Sequence, residues 1–556
     1  MRKAFLAVLG ALWLAAAAPS SAGRERPLGD CTGDYCGTLV ILGIGQPTSL
    51  LPPVTDGKLD SDIFDQIFLK LADIGPAGNT FGDSGFEPLL ARRWRWVDPL
   101  TLVFSLDPRA RWQDGHPVRA TDVAFSFAVY TDSTVASPYR AALRHIVTVT
   151  ARDSLTVAFR FRDRYPEMFY DAVYHMRILP QHILGETPRA QWVTAPFGRA
   201  PVGDGPYRFV AWTQGESLEL EADSGFFLGR PHIRRLIWRF ASDFSAAVTQ
   251  LMAGEADALQ VLLTPTNVAR ARADSLLAVY PYPGTVYTYL AFNLRANGDS
   301  TRAHPVFADP DVRRALILAT DRVAMVQSVF AGTAKVPPAP MPQAWSWLWG
   351  PQLTVPPYDS AQARALLERR GWRDSGGDGI RGRNGQKLSF HLMVPVTSGS
   401  RRMYARLIQE QLRAVGVEVV IDEVDGGAFD ERSRSGSFDT AIQSWAADPS
   451  PSSSVAQHWV RNGGSNYGHY ANPAFDSLVE RAVTAPDRAA AIAAWRRAFQ
   501  TLNGDAPAIV LNAPDNVAAL HRRFANVRIR PDAWAALIRT WRVAPDQLID
   551  RDRAER

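Results

Sequence analysis

Hydrophobic and polar positions alternate in ways that divide most of the chain into short strands and amphipathic helices. Residues 37–44 form an unbroken apolar run typical of a buried strand, and residues 101–106 alternate as a half-buried strand does. Residues 401–415 carry apolar side chains on one helical face, and Gly416 predicts the end of that helix. Because helices and strands alternate along the chain, we expect an α/β protein with largely parallel sheets.

Helix starts are marked by side chains that can accept hydrogen bonds from the free N–H groups of a first turn. Thr121 is predicted to cap a helix that carries Asp122 in its first turn and buries Val123 and Phe127. Further starts are predicted at Asp309, Asp359, Asn472 and Asp487, and the helix that begins at Asp487 is expected to run to Phe499.

The first residues have the pattern of a secretory signal peptide. Arg2 and Lys3 precede an apolar run over residues 4–18, and small residues follow up to Ala22, after which we expect cleavage and release to the periplasm. The alternative, an N-terminal membrane anchor, would need a longer apolar run.

Two cysteines, Cys31 and Cys36, follow the signal sequence. In an oxidising compartment they can close a small disulfide loop; a lipid on Cys31 or two free thiols are the alternatives.

The charge pattern excludes one class of partner. The 556-residue chain has a formal net charge of +5, with 46% hydrophobic and 21% charged residues, as in an ordinary soluble protein. Five of the 61 basic residues are lysine and the rest are arginine, scattered among acidic residues. We therefore expect no nucleic-acid binding.

Three features of the sequence could indicate a metal site or a catalytic site, but none has the full set of residues that such a site needs. Residues 374–385 resemble a calcium loop that lacks the glutamate at its twelfth position, so a polar turn is the preferred interpretation. Residues 82–85, which include Ser84, copy a serine-protease tetrapeptide without a matching base. The ten histidines show no metal-binding spacing. We expect no catalytic group, no cofactor and no metal.

Residues 87–127 resemble the signature of a known family, the peptide-binding branch of the ABC-transporter solute-binding proteins (extracellular solute-binding family 5). Gln113 replaces the family's usual histidine, and Arg119 lies where a capping threonine is usual. Residues 201–209, 246–259 and 289–293 match later family motifs in the same order. Within the signature, the matching residues are Pro88-Leu89-Leu90-Ala91, Trp94, Trp112-Gln113-Asp114-Gly115, Pro117-Val118 and Ala120-Thr121-Asp122-Val123.

The resemblance implies a type II periplasmic-binding-protein fold, an α/β architecture of two lobes joined by two hinge strands with an extra inserted subdomain. The implied division is a signal peptide at 1–22, lobe I at 37–58, 201–288 and 507–545, the inserted subdomain at 59–200, and lobe II at 289–506.

The resemblance also implies a function. The protein would be a monomer that captures a small ligand, above all a di- or oligopeptide, by hinge closure and delivers it to the permease subunits of an ABC importer. A peptide sensor or chaperone of the same fold and a secreted hydrolase are the alternatives.

The resemblance to family members that bind dipeptides or oligopeptides implies which residues of this chain would contact a ligand. An aspartate in a W-x-x-D motif pairs with the peptide ammonium group, which here indicates Asp448 and, with it, Trp445. Asp448 could instead only cap a turn, and Trp445 could pack between sheets. A cation near the motif A-R-R-M binds the peptide carboxylate, which indicates Arg401 or Arg402. Oligopeptide relatives place a cation six residues before the aspartate, where this chain has Ile442.

Three tryptophans form a further candidate. Trp345, Trp347 and Trp349 alternate in a segment expected to be extended, where they could line a ligand site or belong to an apolar core.

Overall fold

The computed structural model describes residues 35–553, apart from residues 56 and 375. The predicted signal peptide and Cys31 lie outside the described residues. Cys36 is buried at the start of the first strand, and its disulfide with Cys31 stays a prediction.

The first two thirds of lobe I and the inserted subdomain come before residue 284. Their elements are β1 (Cys36–Ile44), α1 (Lys58–Ile67), β2 (Ala72–Asp73), β3 (Glu87–Pro88), β4 (Ala91–Asp98), β5 (Thr101–Leu106), α2 (Ala120–Thr131), β6 (Ile146–Ala151), β7 (Thr156–Phe161), α3 (Met168–Tyr174), α4 (Gln181–Leu184), β8 (Tyr207–Thr213), β9 (Ser217–Ala222), β10 (Ile233–Ala241), α5 (Phe244–Met252), β11 (Ala258–Leu259), α6 (Pro265–Ala273) and β12 (Leu277–Pro283).

The rest of the chain builds lobe II and then returns to lobe I. Its elements are β13 (Val286–Phe292), β14 (Arg295–Ala296), β15 (Asp299–Ala303), α7 (Pro310–Leu318), α8 (Arg322–Phe330), β16 (Ala334–Lys335), α9 (Ser360–Arg369), β17 (Gly382–Arg383), β18 (Gln386–Lys387), β19 (Ser389–Pro395), α10 (Gly399–Arg413), β20 (Glu418–Val424), α11 (Gly426–Arg434), β21 (Thr440–Ala446), α12 (Pro451–Trp459), α13 (Pro473–Val483), α14 (Arg488–Asp505), β22 (Ala508–His521), β23 (Phe524–Ala525), β24 (Arg542–Val543) and α15 (Asp550–Arg553).

Two strand segments join the lobes. One sheet runs in the order β20-β19-β21-β13-β22-β11-β1-β10-β9-β8, and β12 also pairs with β22. The first half of β22 pairs with β13 of lobe II, and its second half pairs with β12 of lobe I. The two crossings meet at Gly284, where a Cβ atom would lie 2.3 Å from the carbonyl oxygen of Pro514. These paired strands are the two expected hinge connections.

The expectation of largely parallel sheets is wrong. Only the pairs β1–β10, β1–β11, β19–β20 and β19–β21 are parallel among the strands of the large sheet described here. Hairpins such as β8–β9 and the antiparallel crossing strands account for the rest, and the subdomain sheet β4-β5-β7-β6 is antiparallel throughout. Element order alone does not reveal strand direction when strands follow one another without a helix between them.

Apolar side chains bury both faces of the lobe II sheet, as strand alternation requires. On β13, Leu290 and Phe292 join the core beneath α7, α8, α9 and α10, whereas Tyr287 and Tyr289 join the core beneath α12, α13 and α14. A third large core fills lobe I and the subdomain around Trp112, which is buried.

The predicted cap of α2 is a second correction. The helix begins two residues earlier than expected, with Arg119 at the N-cap position, and Thr121 is exposed within the first turn. The carboxylate of Asp122 reaches back to accept a hydrogen bond from the Arg119 backbone N–H at 2.8 Å. The other carboxylate oxygen accepts from the Gln181 backbone N–H at 2.9 Å, so Asp122 also fixes α4.

Gln113, the residue that replaces the family's histidine, joins the signature loop to lobe I. Its side-chain amide donates to the carbonyl oxygens of Gly205 and Tyr207 at 3.2 and 2.9 Å, and its carbonyl oxygen accepts from the Gly203 N–H at 3.0 Å. The loop is thereby fixed to the segment through which the chain returns to lobe I.

Other predicted elements are confirmed with shifted ends. Side chains of Asp309, Asp359, Asn472 and Asp487 all cap helices as expected. The helix that begins after Asp487 runs six residues beyond Phe499, to Asp505.

The tryptophan segment differs from the expectation. Residues Gln343–Leu348 form a short 3₁₀ helix instead of an extended segment, and Trp345 is buried in the lobe II core. Proline-rich flanks had suggested extended backbone, but the buried ring and its hydrogen bond to Asp448 favour the turn.

Candidate functional site

One edge of the lobe II sheet collects the residues that the sequence indicated. The parallel strands β19 and β21 end at this edge, and the antiparallel neighbour β13 begins there, with Val286 opposite Ala446. Because β13 follows directly from the lobe I strand β12, this edge faces lobe I. Loops that follow the carboxyl ends of parallel strands are the usual places for binding residues.

Asp448 lies two residues after β21, in a turn that several contacts hold. Its backbone carbonyl accepts a hydrogen bond from Trp345 Nε1 at 2.8 Å, and its carboxylate accepts from Ser453 Oγ at 2.8 Å. The side chain is exposed, and among the described residues no arginine, lysine or histidine nitrogen lies within 4.0 Å of it. The carboxylate is thus positioned without a cationic partner.

Two tyrosines of α3, in the inserted subdomain, lie within the electrostatic reach of Asp448. Burial raises the pKa of Tyr170 and Tyr174 well above the usual value, and the negative charge of Asp448 raises both further. The Tyr170 hydroxyl is buried and has no hydrogen-bond partner among the described residues. Asp448 therefore faces the first half of the protein across the cleft.

For Trp445 the sequence left open whether the ring contacts a ligand or packs between sheets, and the structure shows what surrounds it. Its ring lies against the His458 imidazole of α12, with ring centroids 3.6 Å apart. Burial lowers the pKa of His458 to about 4, so the imidazole is neutral. The Trp445 indole N–H is buried and unpaired among the described residues, which leaves a donor available at the site.

Arg401 and Arg402 begin α10, whose first turn is capped by Ser398. The Arg401 guanidinium lies over the Phe429 ring, 5.6 Å from its centroid, and half-burial lowers its pKa. No carboxylate oxygen lies within 4.0 Å of it among the described residues, whereas Arg402 lies 3.7 Å from Glu423. Arg401 is the freer cation of the two.

The structure brings these four residues to one edge of one lobe. Burial raises the pKa of Tyr289 on β13, and the nearby positive charge of Arg401 opposes that shift. Trp445 of β21 lies opposite Tyr287 of β13. Arg401 follows β19 and Asp448 follows β21, so the two charges lie beyond the ends of neighbouring strands on one side of β13.

Glu167 is a residue that sequence reasoning missed. It lies directly before α3, is buried, and accepts a hydrogen bond from Thr80 Oγ1 at 2.8 Å. Burial raises its pKa to about 7, the charge of Asp171 adds to the shift, and hydrogen bonds with Ser450 and Ser452 of lobe II oppose it. A single glutamate before a helix has no sequence pattern that could have revealed this contact.

Further contacts link the subdomain to lobe II beside Glu167. Arg488 Nε donates to Asn79 Oδ1 at 3.1 Å, and the rings of Phe81 and Trp347 meet edge to face at 5.0 Å. A cavity of about 270 Å³ lies between the two parts and is lined by Gly82, Asp83, Trp96, Asp98, Pro99, Arg164, Tyr165, Pro166, Met168, Phe169, Pro486, Asp487 and Arg488. This side of the cleft is closed.

No helix in the described part of the chain has the length and apolar character needed to cross a membrane.

Two lobes, two paired crossing strands and a cleft lined from both lobes define a type II periplasmic-binding-protein fold. The family model of the bacterial extracellular solute-binding proteins, family 5 (middle region), matches residues 85–467. The chain belongs to this family.

Individual relatives agree with this assignment. The chain is 27% identical to the oligopeptide-binding protein AppA of Bacillus subtilis over 537 residues, covering 95% of this chain and 94% of AppA. It is 25% identical to the peptide transport periplasmic protein SapA of Salmonella typhimurium, over 84% of this chain and 85% of SapA.

Solved structures show the same fold. The complex of Bacillus subtilis AppA with a nonapeptide aligns with a TM-score of 0.69 at 26% identity, covering 92% of this chain and 99% of AppA. The ABC transporter substrate-binding protein CtaP of Listeria monocytogenes aligns with a TM-score of 0.78 at 21% identity, covering 92% of this chain and 99% of CtaP.

Proposed function

We propose that this protein is the extracytoplasmic solute-binding component of an ABC importer and that its ligand is a di- or oligopeptide. The observation that carries the proposal is the Asp448 carboxylate, which is held in place at the cleft without a cationic partner among the described residues. A peptide ammonium group would supply that partner through a charge-assisted hydrogen bond. AppA, which binds a nonapeptide, supports the choice of ligand class.

Arg401 is the proposed partner of the peptide carboxylate. It is the less neutralised of the two arginines at the start of α10, and Arg402 already has Glu423 nearby. Its planar guanidinium can bind a carboxylate with two parallel hydrogen bonds. Interior waters would accept varied peptide side chains without loss of hydrogen bonds.

Hinge closure is the proposed mechanism. A ligand that contacts both lobes stabilises the closed form, and the permease recognises that form. A shift from mostly open to mostly closed requires differential binding of about 5.5 kcal/mol. The hinge lies where β12–β13 and β22 pass between the lobes, at Gly284 and Pro514.

The proposal includes a cellular setting. The protein acts in the periplasm after cleavage near Ala22, as a monomer without catalytic activity or nucleic-acid binding, and its macromolecular partner is the membrane permease. The lobe boundaries at residues 201, 289 and 507 belong to the same proposal and can be mapped by limited proteolysis.

The ligand itself is the first measurement. Ligands released from the purified protein are identified by mass spectrometry, and synthetic versions are added back in a thermal-shift assay. We expect peptides that raise the unfolding temperature.

Asp448→Ala should then weaken peptide binding by about 10-fold or more in calorimetry, because the ammonium group loses its charged partner. Asp546→Asn, which removes an exposed carboxylate from the C-terminal part, is the matched control and should bind as the wild type does. Unchanged affinity in Asp448→Ala would remove this residue from the site.

A further inference from the structure

A cluster of three metal-ligating side chains lies in the inserted subdomain and shares no residue with the candidate cleft. Asp114 and His116 belong to the turn between β5 and α2, and His182 belongs to α4, 68 residues after Asp114. His182 Nε2 lies 2.7 Å from one Asp114 carboxylate oxygen, and His116 Nδ1 lies 3.2 Å from the other. One donor atom from each residue lies within 4.8 Å of the others.

Rigid backbone holds the turn that carries Asp114 and His116. Trp112 and His116 close it with a hydrogen bond of 2.8 Å from the Trp112 N–H to the His116 carbonyl. Gly115 takes a φ of +95°, a conformation that glycine adopts without strain. Gln113 anchors the same turn to Gly203.

His182, the third side chain of the cluster, is held in place by contacts of α4. The backbone N–H of Gln181, directly before His182, donates to Asp122 at 2.9 Å, and the Trp112 and His182 rings lie 6.1 Å apart. Ligands that are held by packing and hydrogen bonds before a metal arrives bind it more tightly, because less ordering is needed.

Among the described residues, Asp114 has two histidine side chains within 4.0 Å of its carboxylate, whereas Asp163, Asp171 and Asp439 each have one. Asp98 and Asp107, at the end of β4 and directly after β5, pair with Arg160 and Arg109, whereas no arginine or lysine nitrogen lies within 4.0 Å of Asp114 among the described residues. This protein is rich in arginine, yet the charged partners of the Asp114 carboxylate within 4.0 Å, among the described residues, are His116 and His182. Both imidazoles can bind the same metal ion as the carboxylate.

We propose that Asp114, His116 and His182 bind a divalent transition-metal cation of the Zn²⁺ class. Imidazole and carboxylate ligands suit Zn²⁺, and water can complete a four-coordinate site because all three side chains reach solvent. Metal–ligand bonds of about 2.0–2.2 Å place neighbouring donors slightly more than 3 Å apart, so separations of up to 4.8 Å need to shorten by at most about 1.5 Å, which side-chain rotation can supply. The bound metal would fasten α4 to the turn before α2.

The test uses the mature, untagged protein and ZnCl₂ as the probe. Calorimetric titration near neutral pH should show binding of one equivalent. His116→Ala and His182→Ala should each weaken it by about 10-fold or more, because each removes a ligand. His391→Ala is the matched control, since this exposed histidine also pairs with an aspartate, Asp422, but belongs to no group of three metal-ligating side chains among the described residues. It should bind Zn²⁺ as the wild type does.

Two results would overturn the proposal: no stoichiometric binding by the wild type, or wild-type binding in both histidine variants. His116 is largely exposed, so His116→Ala decides the question if His182→Ala does not fold. Crystals soaked in ZnCl₂ give an independent readout, an anomalous peak between the three side chains. A peak elsewhere with none here would also contradict the assignment.

Discussion

At the scale of single residues, Glu167 shows how a buried carboxyl can make cleft closure depend on pH. In the closed arrangement its pKa is about 7, against an ordinary value of 4.5, and its neighbours are Thr80, Asp171, Ser450 and Ser452. When the lobes separate, water reaches the side chain and relieves the burial that is the largest cause of the raised pKa, which outweighs the loss of the Ser450 and Ser452 hydrogen bonds, so the pKa should fall towards the ordinary value. The closed form therefore binds a proton more tightly than the open form.

This difference sets the sign of a pH effect on ligand affinity. A raised carboxyl pKa means that protonation favours the closed form, so closure weakens as pH rises from about 4.5 to about 7 and changes little outside that window. We expect peptide affinity, measured from about pH 8 down to about pH 5, to increase several-fold.

Glu167→Gln should flatten this pH profile, because the amide does not titrate. The exposed Glu186→Gln is the control and should keep the wild-type profile. A Glu167→Gln protein with the full pH dependence would show that another group is responsible.

At the scale of elements, the start of α2 shows which residue caps the signature helix. Asp122 accepts hydrogen bonds from the backbone N–H groups of Arg119 and Gln181, and it is buried. Thr121, which the sequence pattern indicated, is exposed.

Asp122→Ala should therefore lower the free energy of unfolding by about 1–3 kcal/mol, because it removes a buried side chain and leaves two partly buried backbone N–H groups without their acceptor. Thr121→Ala should change it by less than about 0.5 kcal/mol, as surface substitutions usually do. Urea denaturation measures both. Equal losses in the two variants would contradict the assignment of the cap.

At the scale of the whole molecule, the hinge depends on how closely the crossing strands approach each other. A methyl group on residue 284 would lie 2.3 Å from the Pro514 carbonyl oxygen, so the backbones must move apart to accept it. This displacement acts where the two lobes are joined.

Gly284→Ala should lower the free energy of unfolding by about 1–3 kcal/mol and weaken ligand-induced compaction, seen as a smaller change in the radius of gyration in X-ray scattering. Gly504→Ala is the matched control, because its methyl group would meet no atom within 4 Å and alanine favours the helix. If Gly284→Ala closes and unfolds like the wild type, the hinge lies elsewhere.

Much of the fold followed from local signals. Strands β1 and β5, the caps at Asp309 and Asn472, and Gly416 after α10 depend on neighbours in sequence, so the pattern was sufficient. Strand direction could not be predicted from the local pattern, because it depends on which distant strand each strand pairs with.

The candidate site was predictable in part. The W-x-x-D motif and the paired arginines identified Asp448 and Arg401, and both lie at the edge of lobe II that faces lobe I. Their opposing surface, with Glu167 and Tyr170 of α3, carries no local pattern, since a lone glutamate and a tyrosine are common at helix starts.

The sequence by itself determined the family and the two-lobed architecture and indicated the segments proposed to bind the ligand, because these depend on motif order and local periodicity. Only the tertiary structure decided which side chains lie close together across the cleft and within the inserted subdomain. Asp448 faces α3, Glu167 meets Ser450, and His182 joins Asp114 because the chain brings together segments separated by dozens to hundreds of residues. Such proximity depends on packing and burial over the whole molecule, which no local pattern of residues encodes.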